Sequence, residues 1–405
     1  MRKPFLCALT VLAVLAGCKG SSYGDYETIN ASDVDEEADL TKIAYDFRIH
    51  RLEYDGPMDG IGGIKCWDDG QVMLARTNDD RKILRFDNYK VTAILDRLGR
   101  GPGEYYFIED FTWDKVSNCI YIENDSNLVT YDATTMEFKG KQGVNFNLQN
   151  CLNVGDKMLY FGFFLEESGF INTEGDSVII PYESMVLVDR DERDLHKGVV
   201  LYRENGLQRV LMGYPELFFV NPKNYSTCLT GPVNRIVTFS DLEKTTEVYS
   251  FKLGPVDIPV ELEDVLNSNK VSYQDYENAI MSYAMGRAET FNMSNVFNIM
   301  VDGGTVSFRV TYRDPKEIFG PKSNYLYFVR SNNKTKVYKH LRIPGLAMDV
   351  DPTGANGNHQ VALIENLGDL AIDDSEPLSD LAEEILAELK KQNDDNPVLL
   401  EFRFK

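Results

Sequence analysis

An internal repeat narrows the fold more than any other feature of this sequence. The segment Ile83-Leu-Arg-Phe-Asp87 returns as Leu128-Val-Thr-Tyr-Asp132, 45 residues later. Upstream of each copy the same order of elements recurs, Trp67-Asp68 before Val72-Met-Leu and Trp113-Asp114 before Ile120-Tyr-Ile. These are short strand-like runs closing on acidic turns. A spacing of about 45 residues between four-strand units is that of β-propeller blades, which repeat radially about a central channel. Between the copies lies Asp96-Arg-Leu-Gly99-Arg100-Gly101-Pro102-Gly103-Glu104-Tyr105-Tyr106. So many glycines carry a high entropic cost and are kept where chain geometry demands a tight path. The stretch therefore reads as the crossing from the outer strand of one blade to the inner strand of the next.

The crossing also carries a resemblance. Its Gly99-x-Gly101-Pro102-Gly103-Glu104-Tyr105 turn is similar to one that follows the first blade in the six-bladed β-propeller lipoproteins common in Bacteroidota, distant relatives of NHL-type propellers. The C-terminal Asp394-Asp395-Asn396-Pro397-Val398-Leu399 resembles the ending of that family, about 290 residues further on. The resemblance implies an all-β, six-bladed ring of four-stranded antiparallel blades. It implies no ligand and no reaction, since many such proteins are domains of unknown function.

Six units can be followed along the chain. They run from Ile64, Phe111, Gln149, Glu216 and Asn295, with a last one over about Ala347 to Asp373; a detour at Glu166 to Ser184 interrupts the third. Two helices are expected among the strands. Ser272-x-x-Asp275 has the form of a capping box before Tyr276, Ile280 and Tyr283 at helical spacing, which places an insertion at about 260–290. Leu378, Leu381, Ile385 and Leu389 make an apolar stripe between Pro377 and Pro397, expected to be a spacer helix over about 377–392. A strand at 398–404 that follows a helix needs an incomplete blade to join. Ile43 to Leu52 and Val398 to Phe404 are accordingly the candidates for closing the ring and hiding its free edge.

The N-terminus reads as an export signal. Arg2-Lys3 precedes an apolar run, Leu6 to Ala16, that is too short to span a bilayer. Leu15-Ala16-Gly17-Cys18 has the form of a bacterial lipobox, so residues 1–17 are expected to be removed and Cys18 to take the lipid. Residues 18–40 are polar and acidic, expected as a flexible tether ahead of a propeller over 41–405. The location implied is the cell envelope, an outer-membrane lipoprotein either surface-exposed or periplasm-facing. A formal charge of −22 repels nucleic acid, and no dense Lys/Arg cluster offsets it. Cys66, Cys119, Cys151 and Cys228 lie in strand-like runs at no metal-ligand spacing, expected as buried thiols or one bridge between neighbouring blades.

Catalytic signatures are sparse. His50, His196, His340 and His359 are far apart, and there is no His-Glu-x-x-His, no Gly-x-Ser-x-Gly and no phosphate-binding loop. No catalytic residue, metal ligand or cofactor is assigned. Trp67 and Trp113 could stack on sugars, but equivalent positions in two blades read as intersheet core. Arg100, Glu104 and Tyr105 are the candidate binding residues, on a crossing expected to emerge at the mouth of the channel. Asp176-Ser177-Val178 matches a Bacteroidota O-glycosylation acceptor, with Ser177 as the site. The favoured function is a membrane-anchored, non-catalytic binding or scaffold propeller for a glycan, peptide or protein partner. The alternative is a propeller hydrolase or lyase acting on glycans or small esters and lactones with a metal in the channel.

Overall fold

In the computed structural model, residues 26–405 are described except 31–32, 55–59, 69, 109, 125–126, 144–146, 155, 172–176, 190–191, 193–198, 206–218, 221–224, 230–233, 242–243, 254–277, 279–291, 314–323, 366–371 and 392–395. The chain enters through β1 (Glu27–Ile29), β2 (Val34–Asp39), the short helix α1 (Leu40–Ile43) and β3 (Ala44–Arg51). It then lays down four-stranded sheets in sequence order. Blade one is β4 (Ile61–Trp67), β5 (Val72–Thr77), β6 (Lys82–Asp87) and β7 (Lys90–Asp96); blade two is β8 (Phe111–Asp114), β9 (Cys119–Glu123), β10 (Asn127–Asp132) and β11 (Phe138–Gly143). Blade three is β12 (Asn147–Val154), β13 (Lys157–Ile171), β14 (Ser177–Asp189) and β15 (Val199–Asn205); blade four is β16 (Phe219–Val220), β17 (Tyr225–Leu229), β18 (Asn234–Asp241) and β19 (Lys244–Leu253). Blade five is β20 (Asn292–Asp302), β21 (Thr305–Arg313), β22 (Asn324–Ser331) and β23 (Lys334–Arg342). Blade six begins with β24 (Pro352–Asn356) and β25 (His359–Ile364), after which come the helix α2 (Asp380–Lys390) and β26 (Val398–Phe404).

The repeat seen in the sequence is the pairing register of the first two blades. Trp67 faces Val72 across β4–β5, and Trp113 faces Ile120 across β8–β9. Between blades one and two Trp67 and Trp113 meet edge to face, centroids 5.8 Å apart, with Trp113 only 5% exposed. The expected equivalence is corrected: the row of Trp67 runs through Val72 to Asp87, that of Trp113 through Ile120 to Tyr131, and Asp114 shares the row of Asp132, so the two tryptophans sit one register apart on opposite faces of their sheets and fill the space between them as intersheet core.

Burial is organised between blades. Leu74, Ile83 and Leu95 of blade one pack on Phe111, Ile120 and Val129 of blade two. Cys119 and Tyr121 pack on Cys151 and Tyr160 at the next interface, Phe251 on Phe308 and Phe328 between blades four and five, and Tyr327 and Leu341 on Ala362 and Leu400 between five and six. Val361 and Leu399 then meet Cys66, Met73 and Phe86, bringing blade six against blade one. There β24 pairs in parallel with β4, Gly354 with Ile64. The four described cysteines are buried thiols outside any disulfide.

Blade six is completed by both ends of the chain. β26 pairs with β25, Leu400 opposite Ala362, and on its other edge with β3, Leu400 opposite Ile49. Six of its seven residues are buried. The two expected closing strands therefore lie side by side as the third and fourth strands of one sheet. Helix α2 covers this blade: Ser379 caps it by accepting from the Ala382 amide, and Leu381, Ile385 and Leu389 face the core. Leu378 stands before the helix and is 37% exposed.

Two expectations change. The expectation of a tether over 18–40 fails from Glu27 on, because β1 pairs in parallel with β19 and β2 with β23, adding a fifth strand to blades four and five. An edge pairing draws on backbone groups whatever the composition, so acidic residues can face outward while Ile29 and Ala38 are buried. Glu36 pairs with Lys339, and Glu27 accepts from Arg330, Thr335 and Tyr249. The detour in blade three is an extension of its central hairpin, with Glu167 opposite Ile179 and Ile171 opposite Ser177. Ser177 thus opens a strand. Residues 1–25, including Cys18, and all of the expected helical insertion except Asn278 at 260–290, lie outside the described residues. Among the described residues no helix is long and apolar enough to cross a membrane.

Candidate functional site

The crossing from Asp96 to Phe111 is held from beneath by Tyr105. This side chain is fully buried between blades one and two, ring centroids 6.3 Å from Tyr131. Its hydroxyl donates to the Arg81 carbonyl at 2.7 Å and accepts from the Arg97 amide at 3.2 Å. Burial pushes its pKa up to about 12, so it stays a neutral donor. The Gly99 amide donates to the Tyr105 carbonyl and the Tyr105 amide to the Arg97 carbonyl, folding the stretch into a narrow loop.

Inside that loop the Glu104 carboxylate accepts from the Gly101 amide at 2.6 Å. Gly103, at φ +75°, lies against the Phe138 ring, and its carbonyl accepts from Tyr131 at 3.0 Å. Phe138 is on β11, the outermost strand of blade two. The loop therefore caps the outer half of blade two, and the expectation that it opens at the channel mouth is corrected. Tyr105 is corrected as well: it is a staple in the core, beyond the reach of any ligand. Glu104 turns its carboxylate inward as a brace.

Of the three candidate binding residues, Arg100 alone stays exposed, its guanidinium 5.5 Å from the Tyr106 ring. Also exposed, on the crossing and on β11, are residues that sequence reasoning passed over. Leu98 is 43% exposed, Tyr106 46%, Phe107 43% and Phe138 39%. The run Tyr105-Tyr106-Phe107 held the signal, since consecutive aromatics in an irregular segment cannot all enter one core. Sequence alone does not say which of them enters.

Beyond Phe107 the crossing is tied to the inner strands. Arg76 donates to the Ile108 carbonyl at 2.8 Å. Lys65 of β4 donates to the Asp110 carboxylate at 2.5 Å and to the Phe111 carbonyl at 2.8 Å, while the Cys151 amide of β12 reaches the other carboxylate oxygen at 3.3 Å. Asp110 therefore joins the inner strands of three blades.

A second polar cluster forms where the chain closes. Glu401 of β26 is fully buried; its Oε1 accepts from Asn356 at 2.8 Å and Tyr89 at 3.3 Å, and the His50 Nε2 lies 3.5 Å away. His50 stacks on Tyr89 with centroids 3.9 Å apart, and His359 meets Asp46 at 2.9 Å. Burial alone would raise the Glu401 pKa, but the bonds from His50 and Asn356 and the charge on nearby imidazoles outweigh it and hold the carboxyl below its usual range. Closure thus sets His50 beside Glu401 and His359 beside Asp46, two histidines distant in sequence. His340 pairs instead with Asp349, and His196 lies outside the described residues. Among the described residues, no three His, Cys, Asp or Glu side chains are placed to hold a metal ion.

Comparison with known proteins follows the same outline. Residues 24–175 match the model of a family described as DUF5128, 6-bladed beta-propeller. A solved structure described as an exported protein of Bacteroides fragilis NCTC 9343 is similar with a TM-score of 0.60 at 16% identity, over 94% of this chain and 100% of that one. A member of the duf4221 family from Bacteroides vulgatus is similar over 90% of this chain and 97% of that one, with a TM-score of 0.42 at 11% identity. No curated protein matches the sequence. The family match over residues 24–175 and the order of sheets along the chain show the fold to be a six-bladed β-propeller.

Proposed function

We propose that this chain is a cell-envelope lipoprotein, anchored through Cys18, whose propeller acts without catalysis as a binding or scaffold module. The partner, a glycan, peptide or protein, sits on the exposed face of the crossing between blades one and two. One observation carries this reading. A loop pinned from below by Tyr105, Glu104 and Tyr131 holds Leu98, Tyr106 and Phe107 out to solvent, with Arg100 over the Tyr106 ring. Rigid aromatic and arginine side chains held at a surface lose little entropy on binding, and such residues dominate interface energetics. Anchoring is supported by the lipobox at Leu15 to Cys18, and the exported description of a structural relative is in keeping with it. On an array of glycans and peptides probed with the full chain in detergent, Tyr106→Ala and Phe107→Ala should remove the signal. Equal signals from these variants and the parent would overturn the assignment of the site.

A second reading, hydrolase or lyase, finds one specific observation in the Glu401–His50 and Asp46–His359 pairs. Turnover of glycan, ester or lactone substrates that Glu401→Gln abolishes in a still-folded protein would favour it.

A further inference from the structure

The cations of blade one suggest what the crossing binds. Between Ile61 and Arg100 the chain has eight lysines and arginines. Six have a carboxylate within ion-pair distance: Lys65 has Asp110, Arg76 has Asp80, Arg81 has Asp79, Lys82 has Asp96, Arg85 has Asp87 and Lys90 has Glu53. Arg97 and Arg100 are exposed, and among the described residues neither has one. In a chain with 64 acidic and 42 basic residues, two exposed guanidinium groups three residues apart with no carboxylate in ion-pair distance among the described residues make a local basic spot. Both flank Leu98, and Arg100 lies over Tyr106.

We propose, resting on the binding role above, that this patch docks an acidic polypeptide segment of a partner protein. The partner's carboxylates meet Arg97 and Arg100, and its apolar side chains rest on Leu98, Phe107 and Phe138. Complementary charge is the first argument: planar guanidinium groups take carboxylates in two parallel hydrogen bonds, and an acidic surface elsewhere leaves this the favoured landing point. Composition is the second. A sugar site needs several precisely placed donors and acceptors. Here the Glu104 carboxylate is committed to the Gly101 amide and the Tyr105 hydroxyl is buried, which leaves two guanidinium groups, one phenol and an apolar surface. Aromatic, leucine and arginine side chains together suit a protein anchor better than a sugar ring.

The test uses the full chain in detergent and three probes: a twelve-residue peptide alternating Glu with Leu and Phe, the same peptide with Lys for Glu, and polygalacturonate. The acidic peptide should bind, the lysine peptide should not, and raising salt should weaken binding, because the contacts are exposed. Arg97→Ala and Arg100→Ala should each weaken it about ten-fold, the loss of one charged hydrogen bond. Phe107→Ala should weaken it by a similar factor, and Arg100→Glu should abolish it, all four variants keeping the parent's melting temperature. Binding of polygalacturonate in place of the peptide, lost in Tyr106→Ala, would overturn the peptide assignment while leaving the site itself standing. Peptide binding unchanged in all four variants, or no binding of any probe, overturns the proposal; the wider binding role is then decided by the glycan and peptide array.

Discussion

Replacing the three glycines of the crossing one at a time tests how the loop is held. Gly103 sits at φ +75°, where a side chain on an L-residue costs about 1–2 kcal/mol. An added Cβ would also lie 2.5 Å from Phe138 Cγ and 2.8 Å from its Cδ2, so the ring would have to leave its place beside Tyr131. Reduced freedom of the unfolded chain returns about 0.4–1 kcal/mol. Gly103→Ala should therefore destabilise by about 1–3 kcal/mol, and Gly103→Val by more. At Gly99 a Cβ would fall 2.0 Å from Glu104 Oε2 and push that carboxylate off the Gly101 amide. A charged hydrogen bond of about 1.5–3 kcal/mol, discounted for its half-exposed setting, makes Gly99→Ala cost about 1 kcal/mol. A Cβ at Gly101 meets only the movable Glu104 side chain, at 3.1 Å, and its φ is ordinary, so Gly101→Ala should stay within about 0.5 kcal/mol of the parent. Urea unfolding of the full chain in detergent gives all three as shifts of midpoint at constant slope. A neutral Gly103→Ala, or Gly101→Ala as damaging as Gly103→Ala, would refute the description of the loop.

Other consequences follow from the anchor, the closing strand and the buried acid. Cys18→Ala should leave unprocessed precursor or released protein, and unchanged partitioning into the detergent phase would count against lipidation. Deleting 398–404 removes Val398, Leu399, Leu400, Phe402 and Phe404, each at most 7% exposed, and at about 1.5–3 kcal/mol apiece the loss is on the order of 10 kcal/mol, comparable to the whole stability of a domain. That truncation should not fold cooperatively; a melt within a degree or two of the parent's would show β26 to be dispensable. Glu401, with its folded pKa held below the ordinary 4.5, contributes stability that is present above that value and lost as pH falls through the folded one. Glu401→Gln should therefore destabilise at pH 7, and the gap should narrow in acid; a gap that widens in acid would contradict the sign.

Much of the fold was legible because repetition is a property of sequence. Phe86 and Tyr131 hold equivalent places in two blades 45 residues apart, whereas Trp67 and Trp113, 46 apart, are one register out and meet across the interface. β3 and β26 were readable as strands that lacked neighbours in sequence. Their pairing with each other was not, since register between chain ends is set by a sheet only the whole ring assembles. β1 and β2 were hidden because parallel edge strands bond through the backbone and leave acidic side chains in water, so their composition resembles a linker. At the crossing the sequence showed which segment mattered but reversed its inside and outside. Tyr105 was taken for surface and is core, while Tyr106 and Phe107 are exposed; three aromatics in succession carry no periodicity to decide between them. The Glu401 cluster had no local signature, its members being spread from Asp46 to Glu401.

The claim that the crossing's outer face binds and its inner face only supports is tested most directly by comparing Tyr105→Phe with Phe107→Ala in the same array experiment and the same melt. The Tyr105 change removes one hydroxyl bonded to Arg81 and Arg97 in the core, and the Phe107 change removes one exposed ring. The account predicts that Tyr105→Phe lowers stability by about 1–3 kcal/mol and keeps binding, whereas Phe107→Ala keeps stability and loses binding. Loss of binding in Tyr105→Phe at full stability, with Phe107→Ala binding as the parent does, would contradict it.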